Sequence, residues 1–233
     1  MLALRWRAAG TVALCATLVG CAADEPGERS LASTPPPAEI AATDRGPLIV
    51  ALGDSLTAGL GLHADQAYPA LLHRRLSDEG YDFTVVNAGV SGDTSAAALR
   101  RAEWALAGDV RIVIVALGGN DGLRGLPADQ MKQNLSEIVS MARERGIAVL
   151  LVGMEAPPNY GSTYTTQFRQ VFTDLAHDFD VAFMPFLLVG VAADPALNQP
   201  DGIHPNPDGA LIVAARVREA LEPLLLALAA DAP

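Results

Sequence analysis

The chain is poor in cysteine, in aromatic residues and in positive charge. Only two cysteines occur in 233 residues, Cys15 and Cys21, both close to the amino terminus. No disulfide framework and no cluster of zinc ligands is available to the remainder, so packing must hold it together. Sixteen Lys and Arg face 27 Asp and Glu, a formal charge of −11. A surface of that sign repels phosphate backbones and anionic lipid, which argues against a nucleic-acid partner. Aromatics make up 5% of the chain. The early apolar stretch, Ala8 to Val19, is too short for a comfortable membrane span. Histidine is scarce too: His63, His73, His177 and His204 are the whole supply of imidazole bases.

The amino-terminal stretch reads as targeting. Arg5 and Arg7 precede the apolar run, which closes on Leu18-Val-Gly-Cys21. That tetrapeptide resembles the lipobox of bacterial lipoproteins, in which cleavage precedes the cysteine and lipid is attached to its sulfur. Residues 1–20 are then a signal peptide and Cys21 the lipidation site. The alternatives are ordinary secretion or a retained amino-terminal anchor. Ala22 follows the cysteine where an aspartate would redirect sorting, so a cell with two membranes is expected to hold the protein in its periplasm, anchored to the outer one. Residues 21–46 carry Ser30, Ser33, Thr34 and Pro35-Pro-Pro37 without any helical or strand period. They read as a tether with a span of roughly 25–30 Å.

From residue 47 to about 230 the pattern is that of one domain. Apolar runs at Leu48–Leu52, Tyr81–Val86, Arg111–Leu117, Ile147–Val152 and Val181–Met184 read as five strands. Helical stripes lie between them and after the last, at about 66–77, 94–106, from Pro127 to Gly146, 166–178 and 209–228. In the last helix Leu211, Ala214, Val217 and Leu221 are expected inward, and Pro223 is expected to bend or end it. Crossovers this long between strands require parallel pairing and right-handed connections. The expectation is an α/β fold, a three-layer α/β/α sandwich around a parallel sheet. Residues 185–200 read as irregular or as a broken helix, interrupted by Pro195 and Pro200.

Three polar, glycine-rich turns follow strands: Gly53-Asp-Ser55, Asn87 to Thr94, and Gly118-Gly-Asn-Asp-Gly122. In a parallel sheet they share the carboxyl edge, where open α/β folds place their chemistry. Ser55 is a candidate nucleophile there, or else a cap for the next helix. His204 follows Asp201 by three residues in a loop stiffened by Pro205 and Pro207. That spacing lets the carboxylate hold one ring nitrogen while the other faces outward, the base–orienter half of a serine triad. The rival reading makes Asp201 a turn former. His63 is nearer Ser55 in sequence but has only Asp65 to orient it, and His73 and His177 fall in helices. The backbone N–H groups of Ser55 and Gly92 and the side-chain amide of Asn120 can serve as oxyanion donors, although Asn120 also suits a turn. Asp54, Asp93 and Asp121 read as turn-holding residues. A metal site built from them would leave Ser55 idle.

Gly53-Asp-Ser-Leu56, Gly92, Gly118-Gly-Asn-Asp121 and Asp201-Gly-Ile-His204 resemble the four blocks of the SGNH, or GDSL, hydrolase superfamily. Tyr68-Pro-Ala-Leu-Leu72, Val86 to Thr94 and Pro158-Asn-Tyr-Gly161 are similar to its periplasmic branch of acyl-CoA thioesterases, lysophospholipases and arylesterases. The resemblance implies strand order 2-1-3-4-5 and a serine esterase acting on carboxylic esters and thioesters through an acyl-enzyme. Its machinery would be Ser55, Asp201 and His204, with the oxyanion held by Ser55, Gly92 and Asn120. It implies no metal and no organic cofactor. A small-molecule ester or lysophospholipid is the expected substrate, and a monomer the expected state. Met154, Pro157, Tyr160 and Ile203 offer apolar surface for an acyl chain. A carbohydrate O-acetyl esterase and a non-catalytic binding lipoprotein are the competing functions. Leu60-Gly61 departs from the bulkier aromatic and basic pair of the thioesterase pattern, which bears on the pocket mouth.

Overall fold

The computed structural model describes residues 46–230. The signal segment, Cys21, nearly all of the tether and the last three residues lie outside the described residues. Five strands form one parallel sheet: β1 (Leu48–Gly53), β2 (Thr84–Gly89), β3 (Val110–Ala116), β4 (Ala148–Val152) and β5 (Ala182–Met184). Their order is β2-β1-β3-β4-β5, as the family resemblance implied. The central strands β1 and β3 are almost wholly buried. Continuous apolar runs such as Ile112-Val-Ile-Val-Ala116 suit that place, because both faces of the sheet are covered.

Seven helices accompany the sheet among the described residues: α1 (Ser55–Ala58), α2 (Tyr68–Asp78), α3 (Ser95–Ala105), α4 (Gly119–Leu123), α5 (Ala128–Glu144), α6 (Ser162–Asp178) and α7 (Pro207–Ala230). The helices α2 and α7 pack together on one face, and α3, α5 and α6 form the layer on the other. Each buries the stripe its sequence period dictates. In α5 these are Met131, Leu135, Ile138 and Ala142, and in α6 Phe168, Phe172 and Leu175. Removing the larger of these side chains, all but Ala142, from water contributes roughly 1.5–3 kcal/mol apiece.

Several boundaries differ from the sequence reading, each for a local reason. β2 begins at Thr84 and runs on through Gly89, in register with β1 to Gly53. Tyr81 is not in the strand. Its N–H closes the end of α2 on Leu76, and its ring lies 5.3 Å from the Arg218 guanidinium of α7. The apolar signal of Tyr81 therefore reports packing on a helix. Two of the three polar turns contain short helices, α1 and α4. In α7, Leu211 is exposed, and the buried stripe is Ala210, Val213, Ala214, Val217, Leu221 and Leu225. The helix also continues through Pro223, in its last two turns. No helix among the described residues is long and apolar enough to cross a membrane.

Candidate active site

β1 delivers the sequence Gly53-Asp-Ser55 to the carboxyl edge of the sheet. Asp54, not Ser55, caps α1: its Oδ1 accepts the Leu56 N–H at 3.0 Å. Ser55 is thus the first residue of that helix, and its hydroxyl is available for other work. Ser55 Oγ lies 2.8 Å from His204 Nε2. His204 Nδ1 lies 2.7 Å from Asp201 Oδ2. The two readings of Asp201 describe two oxygens of one carboxylate. While Oδ2 meets the ring, Oδ1 accepts the N–H groups of Ile203 and His204 at 2.9 and 3.0 Å. Those bonds, led by the His204 N–H, hold the carboxyl down at about 2. Asp201 is accordingly ionised at any pH near neutrality, facing the imidazole N–H as an acceptor.

The other histidines are elsewhere. His63 is exposed and opens a short turn at 64–66. His73 Nδ1 meets the Phe83 carbonyl and the Val85 N–H beside β2, and His177 is solvent-exposed. Gly92 lies in the loop after β2 with φ +87°, a conformation that suits glycine, and its carbonyl accepts from Arg124 at 2.9 Å. A Cβ there would meet nothing nearer than the Arg124 guanidinium at 3.9 Å, so dihedral preference and not crowding selects glycine. Asn120 sits in α4, and its Nδ2 donates to Asp54 Oδ2 at 3.2 Å.

The acidic neighbours in the three turns do hold structure, by different means. Asp121 is buried and accepts both the N–H and the hydroxyl of Ser95 at 2.8 and 2.7 Å. Asp93 bonds no amide and instead pairs with Arg101 at 2.7 Å. Arg101 also donates to the carbonyls of Ala88 and Gly53, tying the ends of β2 and β1 to α3. This arginine went unremarked in the sequence because nothing local distinguishes it. Gln199 was missed for the same reason. Its side-chain amide donates to the carbonyls of Leu60 and Pro205, joining the serine loop to the histidine loop.

A cleft of about 440 Å³ opens over Ser55, His204 and Asn120. Its apolar walls include Met154, Pro157 and Ile203, as well as Leu56, Leu123, Phe186 and Leu188. Tyr160 does not line it, contrary to expectation. The Tyr160 hydroxyl donates to the Leu123 carbonyl at 3.0 Å and its ring stacks toward Tyr164, 5.4 Å away. The tyrosine serves as a strap between the loop after β4 and the end of α4. Phe186 and Leu188 were hidden in the segment read as irregular, although apolar residues directly after a short strand on this edge were a usable signal.

The chain is similar to known proteins over most of its length. Residues 51–212 match the model of the GDSL-like lipase/acylhydrolase family. The chain is 45% identical over 178 residues to esterase TesA of Pseudomonas aeruginosa, spanning 76% of this chain and 87% of that one. It is 39% identical over 178 residues to thioesterase 1/protease 1/lysophospholipase L1 of Escherichia coli K12, spanning 76% and 84%. A crystal structure of TesA superposes with a TM-score of 0.73 at 44% identity, covering 76% of this chain and 99% of that one. The chain belongs to the GDSL-like lipase/acylhydrolase family and is a serine esterase of carboxylic esters.

Proposed function

We propose that Ser55, His204 and Asp201 are the catalytic triad of this esterase, and that its substrates carry an acyl chain seated in the apolar cleft. The observation that carries the reading is the unbroken relay from Ser55 Oγ to His204 Nε2 and from His204 Nδ1 to Asp201 Oδ2, at 2.8 and 2.7 Å. His204 takes the hydroxyl proton as Ser55 Oγ attacks the ester carbonyl. The carbonyl oxygen, now negative, is held by the N–H groups of Ser55 and Gly92 and by the Asn120 amide. His204 gives its proton to the departing alcohol or thiol as the bond to the acyl carbon breaks. Water, deprotonated by His204, then attacks the acyl-enzyme. As the bond from the acyl carbon to Ser55 Oγ breaks, His204 returns the proton to Oγ and the acid leaves. Asp201 stays ionised and stabilises the imidazolium in both halves.

The apolar walls favour aryl esters and lysophospholipids over acetylated glycans, whose polar rings gain little from such a surface. Lipid on Cys21, next to Ala22, is part of the same reading and would keep the enzyme at an envelope membrane where lysophospholipids occur. The test is hydrolysis of aryl esters from acetyl to palmitoyl by the wild type and by Ser55→Ala. Rates that peak beyond acetyl and vanish with Ser55 are expected. Activity confined to acetyl would overturn the substrate class, and full activity without Ser55 the mechanism. Labelling with a clickable fatty acid, lost in Cys21→Ser, tests the anchor.

A further inference from the structure

Asp54 has a task beyond capping α1. Its carboxylate is 2% exposed, next to the nucleophile, and each oxygen meets one donor. Oδ1 accepts from the Leu56 N–H at 3.0 Å, and Oδ2 from Asn120 Nδ2 at 3.2 Å. The first bond explains a helix cap. The second joins the first polar turn to the third, 66 residues away in the chain, and capping does not require it.

An asparagine side chain has two ends of nearly equal shape. One is an acceptor and the other carries two N–H donors. Only the donor end is of use to a developing oxyanion. Rotation by half a turn about the last torsion exchanges the ends, and would aim a carbonyl dipole at the negative oxygen. An ionised carboxylate has no hydrogen to give. The amide end that faces it must therefore be the NH₂, because the opposite orientation sets two acceptors against each other at a site from which water is largely excluded. One N–H is spent on Asp54. The second diverges from it, on a residue that lines the cleft beside Ser55 and His204.

We propose that Asp54 is a positioning residue for the reaction, its carboxylate holding the Asn120 amide with the donor end toward the reacting carbonyl. The inference rests on the assignment of Asn120 as an oxyanion donor. The surroundings leave the carboxylate free for this. Tyr68 of α2 feels its charge but bonds Thr57 Oγ1 at 3.1 Å, and His204, from the loop before α7, is engaged with Ser55 and Asp201. The Arg101 guanidinium of α3 bonds the carbonyl of Gly53 and the carboxylate of Asp93, not that of Asp54. Burial pushes the Asp54 carboxyl up to about 6, so the acceptor-only state prevails at neutral and alkaline pH.

Asp54→Asn keeps the shape and an acceptor for Leu56 but lets both amides rotate. It should lower kcat by about ten- to a hundred-fold, less than the roughly 10²–10³-fold cost of losing an oxyanion donor outright, with KM little changed. Asp54→Ser, which retains a capping oxygen, should behave alike and serves if the first variant fails to fold. The decisive measurement is a double-mutant cycle with Asn120→Ala on a soluble aryl ester. Once the amide is gone, Asp54→Asn should cost no more than about three-fold. An undiminished cost in that background, or unchanged kcat in the single variants, overturns the inference while leaving Asn120 in place. Wild-type kcat in Asn120→Ala removes the oxyanion assignment itself, and the inference with it.

Discussion

Asp54 sits where burial disfavours its charge, and this has a sign that can be measured. Its folded pKa, about 6, exceeds the ordinary 3.8 of the unfolded chain. The folded state therefore holds the proton more tightly than the unfolded state between those values. Stability contributed by this group is fully present below about pH 4 and is lost as pH rises through 6, by up to about 3 kcal/mol. Asp54→Asn has no proton to lose. Chemical denaturation at pH 5 and pH 8 should show the variant gaining on the wild type as pH rises, even as its kcat falls. A relative stability that turns toward the variant as pH rises, together with a slower reaction, would mark a carboxylate kept for function. At Ser55 the expectation is simpler. Ser55→Ala removes the proposed nucleophile and should lower kcat on aryl esters by at least about 10³-fold, leaving the thermal midpoint within a few degrees.

At the scale of elements, the aromatic ladder that leads from the loop after β4 into α6 explains where the sequence misled. Tyr160, Tyr164, Phe168 and Phe172 follow one another at helical spacing, with centroid separations of 5.4, 6.0 and 5.6 Å. Its inner end is core, and its outer end straps α4 and the loop after it through the Tyr160 and Tyr164 hydroxyls. An exposed tyrosine in a loop beside an active site looks like a substrate contact when only the sequence is available. Its partner is a backbone carbonyl, which no sequence pattern marks. Tyr160→Phe should thus cost about 0.5–1.5 kcal/mol in denaturant titration and leave the acyl-chain preference unchanged. Altered chain-length selectivity would return the residue to the pocket. By contrast, the strands were legible because a buried parallel strand must be apolar throughout. Their ends were less so: Asn87 belongs to β2 yet carries a turn former's side chain, and its Oδ1 does accept the Gly89 N–H. The short helices α1 and α4 left no trace, since four or five residues are too few to show a period.

Over the whole domain, topology decides what the site can and cannot depend on. Every strand is parallel, so Ser55, Asn120 and the cleft loops share the carboxyl edge, while the chain enters β1 at Leu48 on the amino edge. Legibility divides along the same line. The side chains proposed to perform the chemistry, Ser55, Asn120, Asp201 and His204, were legible as candidates because each lies in a polar turn or loop and scarce histidine marks one of them. The residues that bring the loops together, Arg101 and Gln199, act on backbone carbonyls and stayed invisible. On the proposed anchoring, delivery and catalysis are separable. A chain beginning at Asp44 retains Gly46 and Pro47, whose carbonyl accepts the Thr84 N–H at the start of β2. It should therefore hydrolyse a water-soluble aryl ester with kcat/KM within about two-fold of the full chain, since Ser55, Asp201, His204 and the described walls of the cleft are all retained. On the proposed lipidation of Cys21, the two forms should differ only on membrane-borne lysophospholipid, where an anchor would raise the local concentration of enzyme over substrate. A fall in kcat/KM on the soluble ester would mean that residues before Asp44 reach the catalytic edge.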